Sequence, residues 1–384
     1  MMGDAAPQGD FFHAVTLEQL VPQDHPFRKI RPLVDTKRIR ELCKEYYCEN
    51  NGRPSIPPEQ LFLAWLGGYL LGCRSDRVIV RQLQCDMAFR WFVGLDVGTR
   101  VWDDSTFAKN RTQRFEGTDI FEKLFDDTVK RAMREGWVSD HWSMDGTLVR
   151  ANASQKSLAP LDPAQSPEEY REKISGKQKA ERTKKRDGDK GDPGNPDVRR
   201  DGQKRSNKTH RSTTDPDARL ASKGKEGAQL NYQVNGVMEN RNLFLVGIGV
   251  EIFTGNGERE GGVELLKRAG RRLRYRPKTL GADKGYFESK FLHELLRRKI
   301  RPHVATFERS RQKIHQYVKA LARTKNYQTS QRARKRIEEL WGEAKECHGM
   351  RRFARRGLER VRQEAFMMGW LLNLKRTALL AGSA

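Results

Sequence analysis

The most restrictive feature of the sequence is a period-two alternation of apolar residues in its second half. Strict alternation runs through Phe244, Val246, Ile248, Val250 and Ile252. Successive side chains of a β-strand point to opposite faces, so this period indicates a half-buried strand. The preceding segment, where Tyr232 and Val234 alternate with polar residues, is separated from it by a turn-like stretch at 238–242. The two segments predict an antiparallel hairpin.

Further strands and helices are predicted on both sides of this hairpin. The stretch WVSDHWSMDG predicts a strand before it, and GGVELLKRAGRRL predicts a helix after it. A strand ending in TLGADKGY, a helix FLHELLRRK and a strand IRPHVA follow, and the chain from about Arg309 onward reads as helical. Three antiparallel strands followed by alternating helices and parallel strands make a mixed α/β layer. The ribonuclease H-like fold has this order of elements, and we expect it over residues 137–384.

Residues 1–136 are predicted to form an all-helical domain. Asp35 is expected to cap one helix, and Ser55 another whose first turn holds prolines. Ser75 is expected to open a single helix, DRVIVRQLQCDMAFRWFVGL, and Gly136 to end the last helix of this part. Short helices with basic residues fit a DNA reader of the helix-turn-helix type, and a plain helical bundle equally well.

A polar tract interrupts the second half after its first strand. Residues 151–230 contain 19 Lys and Arg against 13 Asp and Glu, together with many Gly, Pro, Ser and Asn. Such a composition does not bury enough apolar surface to form a packed core. We therefore expect a flexible insertion at about 154–228 within the second domain.

The charge of the chain indicates a polyanionic partner. It carries 74 Lys and Arg against 50 Asp and Glu, a net charge of +24. No apolar run approaches the roughly 20 residues of a membrane span, and the N-terminus lacks the features of a secretory signal. Five cysteines without CxxC spacing favour neither a disulfide framework nor a zinc site. These features predict a reduced, cytoplasmic protein.

Two aspartates at predicted strand ends are candidates for chemistry. Asp145 and Asp283 both lie next to glycine-containing turns, where carboxylates from adjacent strands can face each other. Taken alone, each of them fits an ordinary turn better than a catalytic site. A third acid on a packed helix would complete a site for two divalent ions, which stabilise the attacking and leaving oxygens of phosphoryl transfer.

The predicted helix QRARKRIEELWGEAKECHG offers three candidates for that third acid, namely Glu338, Glu339 and Glu343. At about 100° per residue, Glu338 shares a narrow stripe with Arg334, Trp341 and Lys345, and the other two acids lie off it. A carboxylate beside two cations would suit a metal-bound phosphodiester. A solvated helix with ordinary ion pairs remains an equal alternative.

The chain resembles bacterial insertion-sequence transposases of the DDE type, in the group with a Y-x2-R-x3-E-x6-K signature. Arg334, Glu338 and Lys345 match this spacing, and Gln331 stands where the signature has tyrosine. The stretches GRPSIPPEQLF, FRWFVGL and VWDDSTFAKNR resemble the helical amino-terminal domain of the group. MDGTLVRANASQKS, GQKRSNKTHRSTTDPDARL, GADKGY and RIEELWGEAKECHGMRRFARRGLERV resemble its catalytic part.

The resemblance implies a ribonuclease H-like core in which Asp145, Asp283 and Glu338 are the catalytic residues and bind two Mg²⁺ ions, which Mn²⁺ could replace. It implies DNA transposition and recombination: binding of terminal inverted repeats, cleavage, and strand transfer to target DNA by a dimer in the bacterial nucleoid. A nuclease without joining activity and an inactive, DNA-binding transposase relic are the alternatives.

Charge adds candidates for DNA contact in the C-terminal part. Residues 311–370 contain 16 Lys and Arg and 6 Asp and Glu, and RRFARR is the densest cluster. We expect phosphate contacts from Arg334, Lys345, Arg351, Arg352, Arg355 and Arg356. Recognition of the transposon end is expected from the N-terminal helices within 75–114.

Overall fold

The computed structural model describes residues 16–48, 55–161, 205–222, 227–255, 257–308 and 312–382. The chain divides into two compact units, Met1–Phe115 with Ala378–Ala384, and Glu116–Thr377. The predicted domain boundary at 136 and 137 stays a prediction. No helix in the described part of the chain is long and apolar enough to cross a membrane.

The first unit is built from short helices. They are α1 (Leu17–Leu20), α2 (Pro26–Ile30), α3 (Thr36–Cys43), α4 (Pro58–Leu70), α5 (Asp76–Cys85), α6 (Met87–Val93) and α7 (Asp104–Lys109), which a π-turn at Asn110–Arg114 extends. Helix α4 is buried along most of its length, because its apolar residues continue around the whole helix. Gly67 lets α6 approach closely, since a Cβ there would lie 3.0 Å from Phe89 Cδ2.

Capping residues decide where these helices begin. Asp35 caps α3 as predicted, with its carboxylate accepting from Arg38 N at 2.9 Å. The single helix predicted after Ser75 is wrong: Asp86 ends α5 and caps α6, accepting from Phe89 N at 2.9 Å. The Ser55 cap is also wrong, because α4 begins at Pro58.

The second unit contains the remaining elements. Its helices are α8 (Ile120–Arg134), α9 (Gly257–Leu273), α10 (Ser289–Arg297), α11 (Lys313–Ala322), α12 (Lys325–Arg334), α13 (Arg336–Glu346) and α14 (Leu358–Ala381). Its strands are β1 (His141–Arg150), β2 (Leu158–Pro160), β3 (His210–Ser212), β4 (Arg219–Ala221), β5 (Gln229–Glu239), β6 (Leu245–Glu251), β7 (Thr279–Ala282) and β8 (Arg301–Val304). Gly136, with φ +67°, follows α8 as predicted.

The main sheet has the order β4-β5-β1-β7-β8, and β6 also pairs with β5. β5 is antiparallel to β1 and to β6, whereas β7 is parallel to β1 and to β8. This is the ribonuclease H-like arrangement predicted from the order of elements, and the predicted β5–β6 hairpin is confirmed. The buried Glu239 carboxylate stabilises the hairpin turn by accepting backbone N–H groups, among them Asn242 N and Phe244 N.

Helices cover both faces of the sheet. On one face, α9 contacts β1 and β6, where Gly262 approaches Met144 and Leu265 approaches Gly247. On the other face, α13 contacts β5 through Trp341, and α14 contacts β6. The core therefore lies in two layers, one on each side of the sheet.

The predicted flexible insertion lies largely at 162–204 and 223–226, outside the described residues. Its described ends are in strands: β2 pairs with β3 in a separate two-stranded sheet, and β4 joins the main sheet. Asp215 between them is fully buried, and its carboxylate accepts from Tyr232 Oη at 2.6 Å and from Gly357 N at 3.2 Å. These contacts join the end of the tract to the start of α14.

Candidate active site

Asp145 lies in the middle of β1, not at its end as predicted. The strand continues to Arg150 because Gly146 to Arg150 pair with β5, so the Asp-Gly pair forms no turn. Pairing with the parallel strand β7 ends two residues earlier, at Ser143. Asp145 therefore lies where the parallel neighbour of β1 stops.

Asp283 lies beside Asp145 by register. His141 pairs with Thr279 and Ser143 with Gly281, and the same offset aligns residue 145 with residue 283. The Asp283 backbone is extended, with φ −77° and ψ −177°. Neighbouring strands lie about 4.8 Å apart, and residues in register on them share a face. Continued two residues past its last pair, this register puts positions 145 and 283 side by side on one face of the sheet.

Asp283 also stabilises a turn, which was the alternative interpretation of this residue from the sequence. Its Oδ1 accepts from Gly285 N at 2.8 Å and caps the short 3₁₀ turn Lys284–Tyr286. The bond uses one lone-pair direction of the carboxylate, which retains further acceptor capacity. A structural role and a catalytic role are therefore compatible for this residue.

Helix α13 packs on the face that carries Asp145. Trp341 lies over Gly236, the direct β5 partner of Asp145, and a Cβ at residue 236 would lie only 2.8 Å from Trp341 Cη2. One turn later, Lys345 Nζ donates to Thr147 Oγ1 at 2.5 Å. Trp341 is 4% exposed, so its ring positions the helix and does not reach a ligand. Glu338 lies one turn before Trp341 on the same helix.

A polar network joins the end of β7 to Glu338. Gln331 Nε2 donates to Ala282 O, directly before Asp283, at 3.2 Å, and also to His303 O on β8. Arg334 Nε donates to Gln331 Oε1 at 3.4 Å, and its Nη1 lies 3.8 Å from Glu338 Oε1. The sequence singled out Gln331 only as a departure from a signature and did not predict this contact.

The helix predicted over 331–349 is two helices. It breaks at Lys335, between α12 and α13, and the Arg334–Glu338 pair spans the break. The Glu338 side chain is 64% exposed, so this ion pair contributes little stability. The exposed carboxylate is accessible to a ligand.

The other two acids of the helix are placed differently. Glu343 is paired with α14, where Arg376 Nη2 lies 2.9 Å from its Oε2 and Lys375 contacts its Oε1. The nearby His348 ring, with Nε2 3.8 Å from Glu343 Oε1, and the ammonium of Lys375 lower the pKa of Glu343 to about 2. Glu339 is exposed. Of the three predicted candidates, Glu338 shares a turn with the Gln331–Arg334 network.

Buried polar side chains lie at the level of Gly281 on β7, two residues before Asp283. His303 pairs with Gly281 on β7, and both its ring nitrogens lack a hydrogen-bond partner among the described residues, as does the nearby Ser330 hydroxyl. Burial and the cation of Arg301 lower the pKa of His303 to about 4, so the ring is neutral at pH 7. His303 is 2% exposed and packs against the ring of Tyr327.

The carboxylates suit a hard divalent ion, which takes oxygen ligands and is often held by one or two carboxylates. Asp145 and Asp283 are the candidates for such a pair. In the described ranges, no three His, Cys, Asp or Glu side chains stand close enough together to hold one ion. Three carboxylates at one ion therefore require a change in the position of at least one of these side chains.

The RRFARR cluster lies in an extended loop, and its predicted helix is wrong. Arg150 N donates to Arg351 O at 3.1 Å, and Phe353 N donates to Arg150 O at 2.8 Å, so the loop continues the sheet beside the end of β1. The buried Glu364 carboxylate accepts from Arg355 N at 2.6 Å. Arg352 and Arg356 both donate to Asn152, at 3.1 and 2.9 Å. These hydrogen bonds fix the backbone of the loop that carries the four arginines.

Two arginines within 75–114 have structural contacts. Arg90 is buried and donates to the carbonyl oxygens of Leu83 and Val97 at 3.3 and 3.0 Å. Arg111 is fully buried, donates to Tyr69 Oη at 3.2 Å and lies 4.9 Å from the Trp65 ring centroid. Neither guanidinium is available to contact DNA without unfolding its surroundings.

Comparison with known proteins gives matches along most of the chain. The family model described as Transposase DDE domain matches residues 139–374, and that described as Transposase domain (DUF772) matches residues 15–113. No curated protein sequence matches the chain.

Two solved structures of Mos1 transposase are similar to it. The paired-end complex with the left transposon end has 10% identity and a TM-score of 0.20, over 80% of this chain and 83% of that chain. The pre-cleavage transpososome has 8% identity and a TM-score of 0.20, over 88% and 82%.

Proposed function

The chain belongs to the transposase DDE domain family and is a DNA transposase, and from this premise we propose that Asp145, Asp283 and Glu338 form its catalytic site. The observation that carries the proposal is the register of β1 and β7, which supports residues 145 and 283 as neighbours on one face when it is continued by two residues. The packing of α13 on that face supports Glu338 as the third acid.

Enzymes of this family depend on divalent metal ions. We propose two Mg²⁺ ions, for which Mn²⁺ could substitute, held by the three carboxylates. When bound, such ions activate water and neutralise charge on the attacking and leaving oxygens of the phosphodiester. We propose that the protein's part is to hold the carboxylates, a role that the β1–β7 register and the Gln331–Arg334 contacts support.

The reaction consists of two in-line phosphoryl transfers. In the first, water attacks the phosphodiester at the transposon end, and a 3′-hydroxyl leaves. In the second, that hydroxyl attacks a phosphodiester of the target DNA, and a new 3′-hydroxyl of the target leaves. Both steps have the same charge development, so one site serves both.

The cations near the site are proposed to position DNA. Lys345 lies on the face of α13 that contacts β1, and Arg334 lies beside Glu338. We propose that these two, together with Arg351, Arg352, Arg355 and Arg356, contact phosphates. We propose that the substrates are the terminal inverted repeats and the target duplex, and that a dimer on DNA brings two ends together.

The decisive experiment is cleavage of a duplex that carries the element's own terminal repeat, which the flanking genomic sequence supplies. Asp145→Asn, Asp283→Asn and Glu338→Gln should each abolish cutting and joining while DNA binding is retained. Glu339→Gln is the matched control, because it removes the adjacent exposed acid and should retain activity.

Each other outcome identifies an alternative. Cutting without joining, tested with an added target duplex, would indicate a nuclease. Binding without cutting in wild type and variants alike would indicate an inactive relic. Loss of activity in Glu339→Gln with full activity in Glu338→Gln would show that Glu339, and not Glu338, is the third catalytic acid.

A further inference from the structure

Basic residues gather at the edge of the main sheet where β7 and β8 begin. Arg274, Arg276 and Lys278 lie between α9 and β7, and Lys299 and Arg301 lie where α10 leads into β8. All five side chains are exposed. We call these five residues the basic edge.

Hydrogen bonds hold the two loops of the basic edge together. Arg276 Nη1 donates to Arg298 O at 3.2 Å, and Arg301 N donates to Lys278 O at 2.9 Å. Thr279 and Arg301 are then the first partners in the pairing of β7 with β8. Positive charges from both loops are therefore held in one region of the surface, which favours binding of an anion.

Acidic residues offset only part of this charge. Lys278 Nζ lies 2.5 Å from Asp140 Oδ2. Glu294 accepts from both Arg297 and Arg298 at the end of α10, so it has no capacity left for a further cation. The other four members of the basic edge form no ion pair within the described ranges. Their charges are compensated by solvent alone.

Two members of the basic edge stand where the backbone disfavours a side chain. The φ angle is +50° at Arg274, directly after α9, and +57° at Lys299, two residues after α10. Glycine adopts this left-handed conformation most readily, because a Cβ clashes with the following carbonyl oxygen. Glycine occupies it after α4, α6, α8 and α13, at Gly72, Gly94, Gly136 and Gly349. The two cations cost stability where glycine would not, which indicates a role beyond folding.

Attraction to the helix dipole does not account for the whole set. It favours cations in the last turn of a helix and falls off beyond that turn. Arg276, Lys278 and Arg301 lie outside the helices. A polyanionic ligand accounts for all five cations together.

The basic edge lies at the opposite end of β7 from the candidate active site. Lys278 directly precedes β7 and Asp283 directly follows it, so they are separated by roughly 17 Å of strand at about 3.3 Å per residue. The RRFARR loop lies at the carboxylate end, beside Arg150. Duplex DNA is stiff over about 150 base pairs, so a duplex seated at the carboxylates would have to bend sharply to reach this edge.

We propose that the basic edge binds the phosphate backbone of a second DNA duplex while the first lies in the active site. This inference rests on the proposed function, because it takes the carboxylates as the place of cleavage. Arginine and lysine pair well with phosphate oxygens, and phosphate contacts carry no sequence information. The basic edge therefore holds the second duplex without selecting its sequence.

The test uses the full-length protein saturated with an unlabelled duplex that carries the terminal repeat, in buffer without divalent metal so that nothing is cut. A fluorescent duplex of unrelated sequence is then titrated at a series of salt concentrations. The test variant is Arg274→Asn, Lys299→Asn, because asparagine removes both charges and tolerates the left-handed backbone. The control variant is Lys267→Gln, Lys290→Gln, which removes two charges from α9 and α10 in a groove that glutamates also line.

The test variant should bind the second duplex roughly tenfold more weakly. It should lower the slope of log K against log salt by about two. Its affinity for the terminal repeat alone should match the wild type, and its urea midpoint should rise, because asparagine relieves the strain at both positions. The control variant and the charge-preserving variant Arg274→Lys, Lys299→Arg should bind the second duplex as the wild type does.

Unchanged affinity and an unchanged salt slope for the second duplex in a folded test variant would overturn the proposal. An equal loss in the control variant would also overturn it, because the effect would then be one of net charge. Weaker binding of the terminal repeat alone, with binding of the second duplex unchanged, would refute the assignment to a second duplex. Wild-type protein that binds both duplexes but does not cut after Mg²⁺ is added would refute the proposed catalysis alone.

Discussion

Replacing Gly236 by alanine should displace α13 and slow DNA cleavage. The residue is the β5 partner of Asp145, and the ring of Trp341 fills the space where a side chain would stand. A Cβ would lie 2.8 Å from Trp341 Cη2 and closer still to Cζ2, whereas carbon atoms in contact are normally about 3.5–4.0 Å apart. The ring, or the helix that carries it, must move by about 1 Å.

The expected magnitudes follow from that movement. Overpacking of a filled core costs about 1–3 kcal/mol, and the loss of a flexible glycine from a strand returns about 0.5–1 kcal/mol. We expect a net destabilisation of about 1–2 kcal/mol. A misplacement of about 1 Å of the helix that carries Glu338 should lower kcat by about a hundredfold, with little change in DNA affinity.

The assay is urea denaturation together with single-turnover cleavage at saturating DNA. Gly249→Ala is the matched control, because it lies in the adjacent strand and its Cβ would stand an ordinary 3.7 Å from Leu265 Cδ1. The double variant Gly236→Ala, Trp341→Phe should recover part of both losses, because a smaller ring leaves room for the methyl group.

Equal stability and equal rates for Gly236→Ala and Gly249→Ala would refute the reasoning. A loss of stability without a loss of kcat would show that Trp341 packs the core without setting the position of Glu338.

Two further predictions concern the residues around this helix. Gln331→Ala should lower kcat roughly tenfold to a hundredfold at unchanged DNA affinity, because the backbone before Asp283 loses its amide donor; Gln328→Ala, at an exposed position of the same helix, should not. Equal loss in both variants would contradict a positioning role. Glu343→Gln should remove stability on the order of 3 kcal/mol at pH 7, because the folded pKa of about 2 lies below the ordinary 4.5. The carboxylate stabilises the fold above about pH 4.5 and loses this effect as the pH falls toward 2, so chemical denaturation of both proteins should converge there.

The order of strands and helices in the second unit was predictable because each element carries its own local pattern. The alternation from Phe244 to Ile252 and the apolar face of α10 need no tertiary information. The positions of Asp145 and Asp283 on adjacent strands followed from that order. The full length of β1 did not, because its end is set by pairing with β5.

Contacts between distant segments were not predictable. Trp341 was assigned to a ligand-facing stripe, yet it packs against Gly236, more than a hundred residues earlier. The RRFARR segment was read as a helix because periodicity does not reveal that its backbone bonds to Arg150. Helix breaks at Asp86 and Lys335 were missed for a different reason, since apolar periodicity continues across both.

The pairing of β2 with β3 determines how this gene can tolerate changes in length. Leu161 N donates to Thr209 O at 2.8 Å, so the chain positions on either side of residues 162–204 lie next to each other. Once a loop is closed in this way, doubling its length costs only about 0.6 kcal/mol. Codons between these strands can therefore be lost, gained or replaced by a reporter domain while the catalytic sheet keeps its register.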